Sequence, residues 1–218
     1  VNENIVIDGR IVVKVVRTDG GWNLERPVAY AAQPTSVENL LGVLGKMAPV
    51  DFIPGTKVAE QPGGLAAFGL DRPSTLTLAT RQGRSVVYKF GGATPLENRF
   101  YLQVVGTDGV FVADSNVLAT LPTAADDWRD RSLFDLRRIP YDRVEVQQRG
   151  KTVFEATHDG TSWRLTKPLS ARASGESIEA LVNQFQSLRV GSFVSDGALV
   201  NPETFGLLPP ESEFIAGR

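Results

Sequence analysis

The 218-residue sequence contains no cysteine, a single histidine and a single methionine. Without cysteine there is no disulfide, no thiolate nucleophile and no Cys-ligated metal. With His158 as the sole imidazole, a catalytic zinc site, which draws on several His or Cys ligands, is not expected. No apolar run approaches the ~18 residues of a membrane span, and no signal peptide is visible. The chain begins at Val1 rather than Met, which suits a processed or excised piece. Basic excess is lacking too: 23 Lys and Arg stand against 25 Asp and Glu, with a formal net charge of −2. Nucleic acid, which demands a basic footprint, is therefore not an expected partner. No G-x-x-x-x-G-K-[ST] phosphate loop, G-x-S-x-G nucleophile elbow or D-x-D-x-D-G calcium loop occurs.

What the sequence does contain is a phrase written twice. "GWNLERP" begins at Gly21 and "SWRLTKP" at Ser162, 141 positions apart, and they hold two of the three tryptophans. Aligned without gaps, Trp22–Pro54 and Trp163–Ser195 share Trp22/Trp163, Leu24/Leu165, Pro27/Pro168, Ala32/Ala173, Ser36/Ser177, Glu38/Glu179, Leu40/Leu181 and Phe52/Phe193. The apolar positions inside the phrase are helical. Val37, Leu40, Leu41, Leu44 and Met47 make one stripe at a 3.6-residue period, and Ile178, Leu181, Val182, Phe185 and Leu188 make another. Thr35 and Glu38 read as a capping box for the first helix, with Pro49 helping to stop it; Ser174 reads as the cap of the second. A second shared phrase follows, Phe68-Gly69-Leu70-x-x-Pro73 and Phe205-Gly206-Leu207-x-x-Pro210. It has the form of a short helix ending on a left-handed glycine.

Two strand-like runs precede each Trp, "NIVIDG" with "RIVVKVVR" and "RVEVQQ" with "KTVFEATH", so each unit reads hairpin, Trp strand, long helix, Phe-containing strand, short helix. After the first unit, "STLTLAT", "SVVYKF", "RFYLQVV" and "GVFVAD" suggest an antiparallel meander that completes its sheet. "SNVLATLPTAADDWRDRSLFDL" suggests two short helices leading out. Residues 129–151 carry seven Arg or Lys against four Asp or Glu and read as a solvated connector. The expected fold class is α+β: two tandem related units, 1–139 and 140–218, each an antiparallel β-sheet with one long amphipathic helix packed on a face.

The ordered set of W-x-L-x-x-P, striped helix, F-G-L-x-x-P, alternating strands and "WRDRSLFDL" resembles the bacterial domain-of-unknown-function 4340 family. The resemblance covers about Trp22–Leu136 in full and Trp163–Pro210 in part. It implies a domain outside the cytoplasmic membrane, anchored by an N-terminal helix that this chain does not include. It also implies a protein partner in the envelope, namely gliding-motility-type ABC transport components. It supplies no catalytic, cofactor-binding or metal residue.

Among possible sites, Asp126, Asp127 and Asp130 beside Arg129 and Arg131 offer paired carboxylates, the residue type for acid/base hydrolysis. A helix start with acidic residues in its first turn and Arg following is the favoured explanation. His158-Asp159 invites a triad, yet it flanks a turn. Trp22 and Trp163 are expected to pack rather than bind. The long loop "KFGGATPLENRFY", with Asn98, Arg99 and Tyr101 near its end, is the best contact surface outside the core, because loops held by a rigid scaffold carry function. The leading expectation is a non-catalytic interaction or ligand-binding module without cofactor; the alternatives are a carboxylate-dependent hydrolase and a structural spacer.

Overall fold

The structure, a computed structural model, describes residues 2–9, 11–80, 82–133, 141–196 and 200–217. It is α+β, with two antiparallel sheets and few helices, and falls into two compact units, Val1–Asp130 and Arg131–Arg218. The expected boundary at 139/140 lies outside the described residues.

The first unit is built on strands β1 (Asn2–Asp8), β2 (Val12–Thr18), β3 (Gly21–Arg26), β4 (Tyr30–Ala31), β5 (Asp51–Pro54), β6 (Ser74–Thr80), β7 (Ser85–Ala93), β8 (Arg99–Val104) and β9 (Gly109–Asp114). They form one sheet in the order β4-β3-β2-β1-β6-β7-β8-β9-β5. Alternation fixes the register, because a one-residue slip would turn every apolar side chain out of the core. Leu78, Ile5, Val15 and Leu24 stand opposite one another across four strands, and all four are buried. Helix α1 (Pro34–Lys46) buries Val37, Leu40 and Leu44 in the same cluster, with Leu41 and Met47 packed at its margin. Each fully buried side chain of this size contributes about 1.5–3 kcal/mol gross.

The capping box expected at Thr35 is not formed. The N-cap is Gln33, without a side-chain cap bond, and Pro34 takes the first helical turn, where its missing N–H costs nothing. The Glu38 carboxylate instead accepts the Trp22 indole N–H at 2.9 Å. Beyond helix α2 (Gly55–Ala59), a 3-10 turn over Gly64–Phe68 ends on left-handed Gly69, as the Phe-Gly-Leu phrase predicts. Val58, Phe68, Leu70 and Val110 form a second cluster, with Ile53, Leu65 and Tyr101 packed against it. Along β8, Phe100 and Leu102 belong to the main cluster while Tyr101 between them serves the second, so the two lie on opposite faces.

Of the two helices expected after β9, a 3-10 segment over Ser115–Thr120 is the one that forms among the described residues. Residues 121–127 turn instead, and 128–130 return to the sheet edge. The Trp128 carbonyl accepts the Gln33 N–H at 2.7 Å, Ala32 bridges Arg129, and the Asp130 N–H donates to the Ala31 carbonyl at 2.8 Å. Phe134–Pro140 lie outside the described residues.

The second unit contains β10 (Arg143–Gln148), β11 (Lys151–His158), β12 (Trp163–Lys167), β13 (Ala171–Arg172), helix α3 (Gly175–Ser187) and β14 (Ser212–Gly217). Its sheet runs β13-β12-β11-β10-β14, and Ala216, Val144, Ala156 and Leu165 stand in one row across it. Ser174 caps α3, its hydroxyl accepting the Ser177 N–H at 3.2 Å. Ile178 and Val182 are buried, and Phe185 stacks on Phe214 at 3.9 Å between ring centroids. Leu188, expected to extend the stripe, is exposed, because the helix ends at Ser187 and residue 188 turns to extended backbone. No strand forms at Phe193; the nearby backbone pairs through Arg189 with Ser132, and the Val190 N–H donates to the Arg131 carbonyl at 2.8 Å. The basic run is no solvated connector where it is described: Arg129 is buried, and Arg143 lies in β10 among carboxylates.

Candidate functional site

Between β7 and β8 the chain folds back over residues 94–98. The Thr94 hydroxyl donates to the Leu96 carbonyl at 2.9 Å and accepts the Leu96 N–H at 3.2 Å, while the Thr94 N–H donates to the Arg99 carbonyl at 3.0 Å. Asn98 takes the left-handed conformation, φ 58°, which asparagine tolerates better than most residues. Its carbonyl accepts the Ser115 N–H at 2.9 Å, tying the loop to the next 3-10 segment, whose cap is the Asp114 carboxylate. The loop is therefore held rather than floppy.

This scaffold lines an open cleft of about 270 Å³ with Thr94, Leu96, Glu97, Asn98, Arg99 and Ser115 on its wall. The Arg99 Nη1 is buried and has no hydrogen-bond partner within the chain. A buried guanidinium nitrogen without a partner is costly, which marks Arg99 as an unusual residue beside this cleft. Glu97 on the same wall limits how much negative charge the cleft tolerates. Of the three residues singled out in the loop, Asn98 and Arg99 come together here. Tyr101 does not: it makes an edge-on contact with Phe68, ring centroids 5.0 Å apart. Thr94 and Ser115 were not legible as wall residues, because Ser115 arrives from a different strand end. A second cleft, about 160 Å³, lies among Leu44, Met47, Tyr88, Leu102 and Phe111 and offers apolar shape without directed polar groups.

The carboxylates are occupied structurally. Asp127 accepts the Thr123 N–H at 2.7 Å and the Ala124 N–H at 2.8 Å, closing a turn instead of opening a helix. Asp126 pairs with buried Arg129 at 3.0 Å, and that guanidinium lies 4.4 Å over the Tyr30 ring. The His158 Nδ1 accepts the Gly160 N–H at 3.2 Å, with the ring 5.1 Å from Trp163. Asp159 turns to Thr161 and Ser162, whose donors hold its pKa down to about 2.

The scan against families places residues 22–209 in one of them, described as "Domain of unknown function (DUF4340)". The chain belongs to the DUF4340 family. No curated protein and no solved structure matches it. The span matched to DUF4340 runs from the first Trp strand to the Pro after the second Phe-Gly-Leu, and the loop cleft lies inside it.

One cluster in this DUF4340 chain escaped the sequence reading. On β10–β12, Arg143 bridges Glu145 and Glu155, Glu145 accepts the Thr152 hydroxyl at 2.7 Å, and Glu155 accepts the Thr166 hydroxyl at 2.7 Å and the Lys167 ammonium at 3.0 Å. The donors around both carboxylates lower their pKa values, Glu155 to about 2. A general acid at neutral pH needs the opposite shift. Among the described residues no group of three or more His, Asp or Glu side chains is placed to hold a metal, and no helix is long and apolar enough to cross a membrane.

Proposed function

We propose that the chain is a non-catalytic interaction or ligand-binding module of the bacterial cell envelope, accessory to a gliding-motility-type ABC transport system. The envelope and transport parts come from the family resemblance, which also carries the membrane anchor and the protein partner. The ligand-binding part is carried by one observation: Arg99, whose buried Nη1 has no hydrogen-bond partner, is a lining residue of the polar loop cleft. It favours a ligand offering a single anionic oxygen, such as a carboxylate, and it separates this reading from a plain spacer. The engaged state of Asp126, Asp127, Glu145 and Glu155 favours binding over carboxylate hydrolysis.

We further propose that the two units are tandem relatives, each with one amphipathic helix on its sheet. The supporting observations are structural pairs at the sequence spacing. Ala32 N–H donates to the Trp22 carbonyl and Ala173 N–H to the Trp163 carbonyl, both at 2.9 Å. Asn23 and Leu24 face Ala31 and Tyr30 just as Arg164 and Leu165 face Arg172 and Ala171.

Titrating the isotopically labelled chain with acetate and with inorganic phosphate tests the site. Amide shifts confined to residues 94–115, and lost in Arg99→Gln, are expected; an unchanged spectrum at those residues overturns the ligand-binding reading. In-cell cross-linking with mass spectrometry tests the envelope role, which recovery of cytosolic enzymes alone would sink.

A further inference from the structure

The two Trp strands carry different neighbours at one place in the register. In the first unit Arg17 on β2 stands opposite Trp22 on β3, and its guanidinium lies 5.4 Å over the indole. In the second unit His158 on β11 stands opposite Trp163 on β12, with ring centroids 5.1 Å apart and planes tilted by 57°. Arginine keeps its charge at every pH a folded protein meets. Imidazole is the side chain whose ordinary charge change falls between about pH 5 and 8. The same seat is therefore filled by a fixed cation in one unit and by a titrating ring in the other. His158 is also the sole histidine of the chain.

His158 holds the turn that joins β11 to β12. Gly160 sits there at φ 94°, and its N–H donates to the His158 Nδ1 at 3.2 Å. That bond uses the lone pair of Nδ1, so the ring is neutral while it lasts, with its proton on Nε2. An imidazolium has two N–H donors and no acceptor. Protonation of Nδ1 turns the Gly160 contact into donor against donor, and the bond breaks. The same proton strengthens the other contact, because a cation within ~6 Å of an indole ring is attracted by its π-electrons. The rest of the turn is held independently. The Asp159 carboxylate accepts the Thr161 and Ser162 N–H groups at 3.0 and 2.9 Å, and the His158 N–H donates to the Asp142 carbonyl at 2.6 Å.

We propose that His158 is a pH-operated switch in the second unit: neutral, it binds the Gly160 N–H and fixes the turn; protonated, it releases Gly160 and rests as a cation on Trp163, as Arg17 rests on Trp22. Acidification thereby frees an amide at an exposed turn while tightening the contact to a buried tryptophan. The two contacts are of similar strength, so the proton selects between them and folding stability stays level. The charged and titratable groups on the surrounding elements are Tyr141 and Asp142 before β10, Asp159 in the turn, Arg164 on β12, and Glu176 and Glu179 on α3. Tyr141 stacks on Trp163 at 6.3 Å, and a Cβ on Gly175 of α3 would lie 3.5 Å from the indole. The Thr161 hydroxyl and the amides beside it hold Asp159 down to about 2, so it remains an anion in both states of the switch.

The test titrates the whole isotopically labelled chain from about pH 8 to about pH 5 and follows the His158 ring, the Gly160 amide and the Trp163 indole by NMR. One shared midpoint is expected at all three. Exchange of the Gly160 amide, corrected for its intrinsic pH dependence, should rise about three- to tenfold at the acid end. His158→Phe keeps a ring beside Trp163 but cannot titrate, and it should remove the transition from Gly160 and Trp163. His158→Arg should hold Trp163 near its acid-side shifts and Gly160 in fast exchange at every pH. A Gly160 amide that stays flat while His158 titrates overturns the proposal. So does a flat Trp163 indole, which would send the imidazolium to solvent. A transition that survives in His158→Phe overturns it as well, and assigns the change to Asp142, Glu176 or Glu179.

Discussion

Gly69 and Gly206 show how one residue type answers to two environments. Both sit at positive φ, where an L side chain costs about 1–2 kcal/mol. Gly206→Ala should therefore destabilise the second unit by about 1 kcal/mol in denaturant unfolding. Gly69→Ala should cost its unit about 1–3 kcal/mol more, since the added methyl also meets the Gly92 backbone. Equal losses at the two sites would contradict the close crossing of β7. The left-handed conformation was legible in the Phe-Gly-Leu-x-x-Pro spacing; the crossing was not, because nothing near Gly69 in the chain announces Gly91 and Gly92. Trp22 behaves likewise. Its role as a packing residue followed from the repeated phrase, but its indole bond to Glu38 needed the helix to be laid on the sheet.

At the scale of elements, the apolar stripes placed α1 and α3 correctly, and the strand alternation placed the hairpins and the meander. The caps separate what local sequence decides from what it does not. Ser174 bonds Ser177 as its position suggests, so Ser174→Ala should cost about 1 kcal/mol. Thr35→Ala should change thermal stability by less than about 0.5 kcal/mol, because Pro34 already starts α1 and no capping box exists. A comparable loss from both would restore the box. Leu40→Ala, in the fully buried stripe, should cost about 2–5 kcal/mol. Where the second helix after β9 was expected, the described residues 128–130 instead hydrogen-bond at the sheet edge beside β4, and Asp127 closes the turn before them.

For the molecule as a whole, the second unit holds three carboxylates with lowered pKa, Glu145, Glu155 and Asp159. A depressed folded-state pKa gives stability that is present above the unfolded value, near 4.5 for Glu, and is lost as pH falls toward the folded value of about 2. Stability should be level from pH 7 to about 5. It should then fall through that window, with hydrogen-exchange protection in β10–β12 lost before that in β1–β3. Glu155→Gln should flatten the decline while lowering stability at pH 7. Simultaneous loss in both units would count against the cluster as the acid-sensitive part.

Periodicity by itself determined the α+β class and the two antiparallel sheets, because burial of alternating and striped apolar residues is a local property of the chain, while the order of the motifs carried the resemblance to the family. Only the tertiary structure decided which residues form a site. Strand pairing brings Asp114 opposite Arg99 and Ser115 into the same cleft, and Arg99 Nη1 is buried without a hydrogen-bond partner. The fold turns Asp126 onto Arg129 and Asp127 onto backbone amides. Those outcomes depend on neighbours distant in sequence, and hydrogen-bond satisfaction in a buried place is a property of the assembled fold.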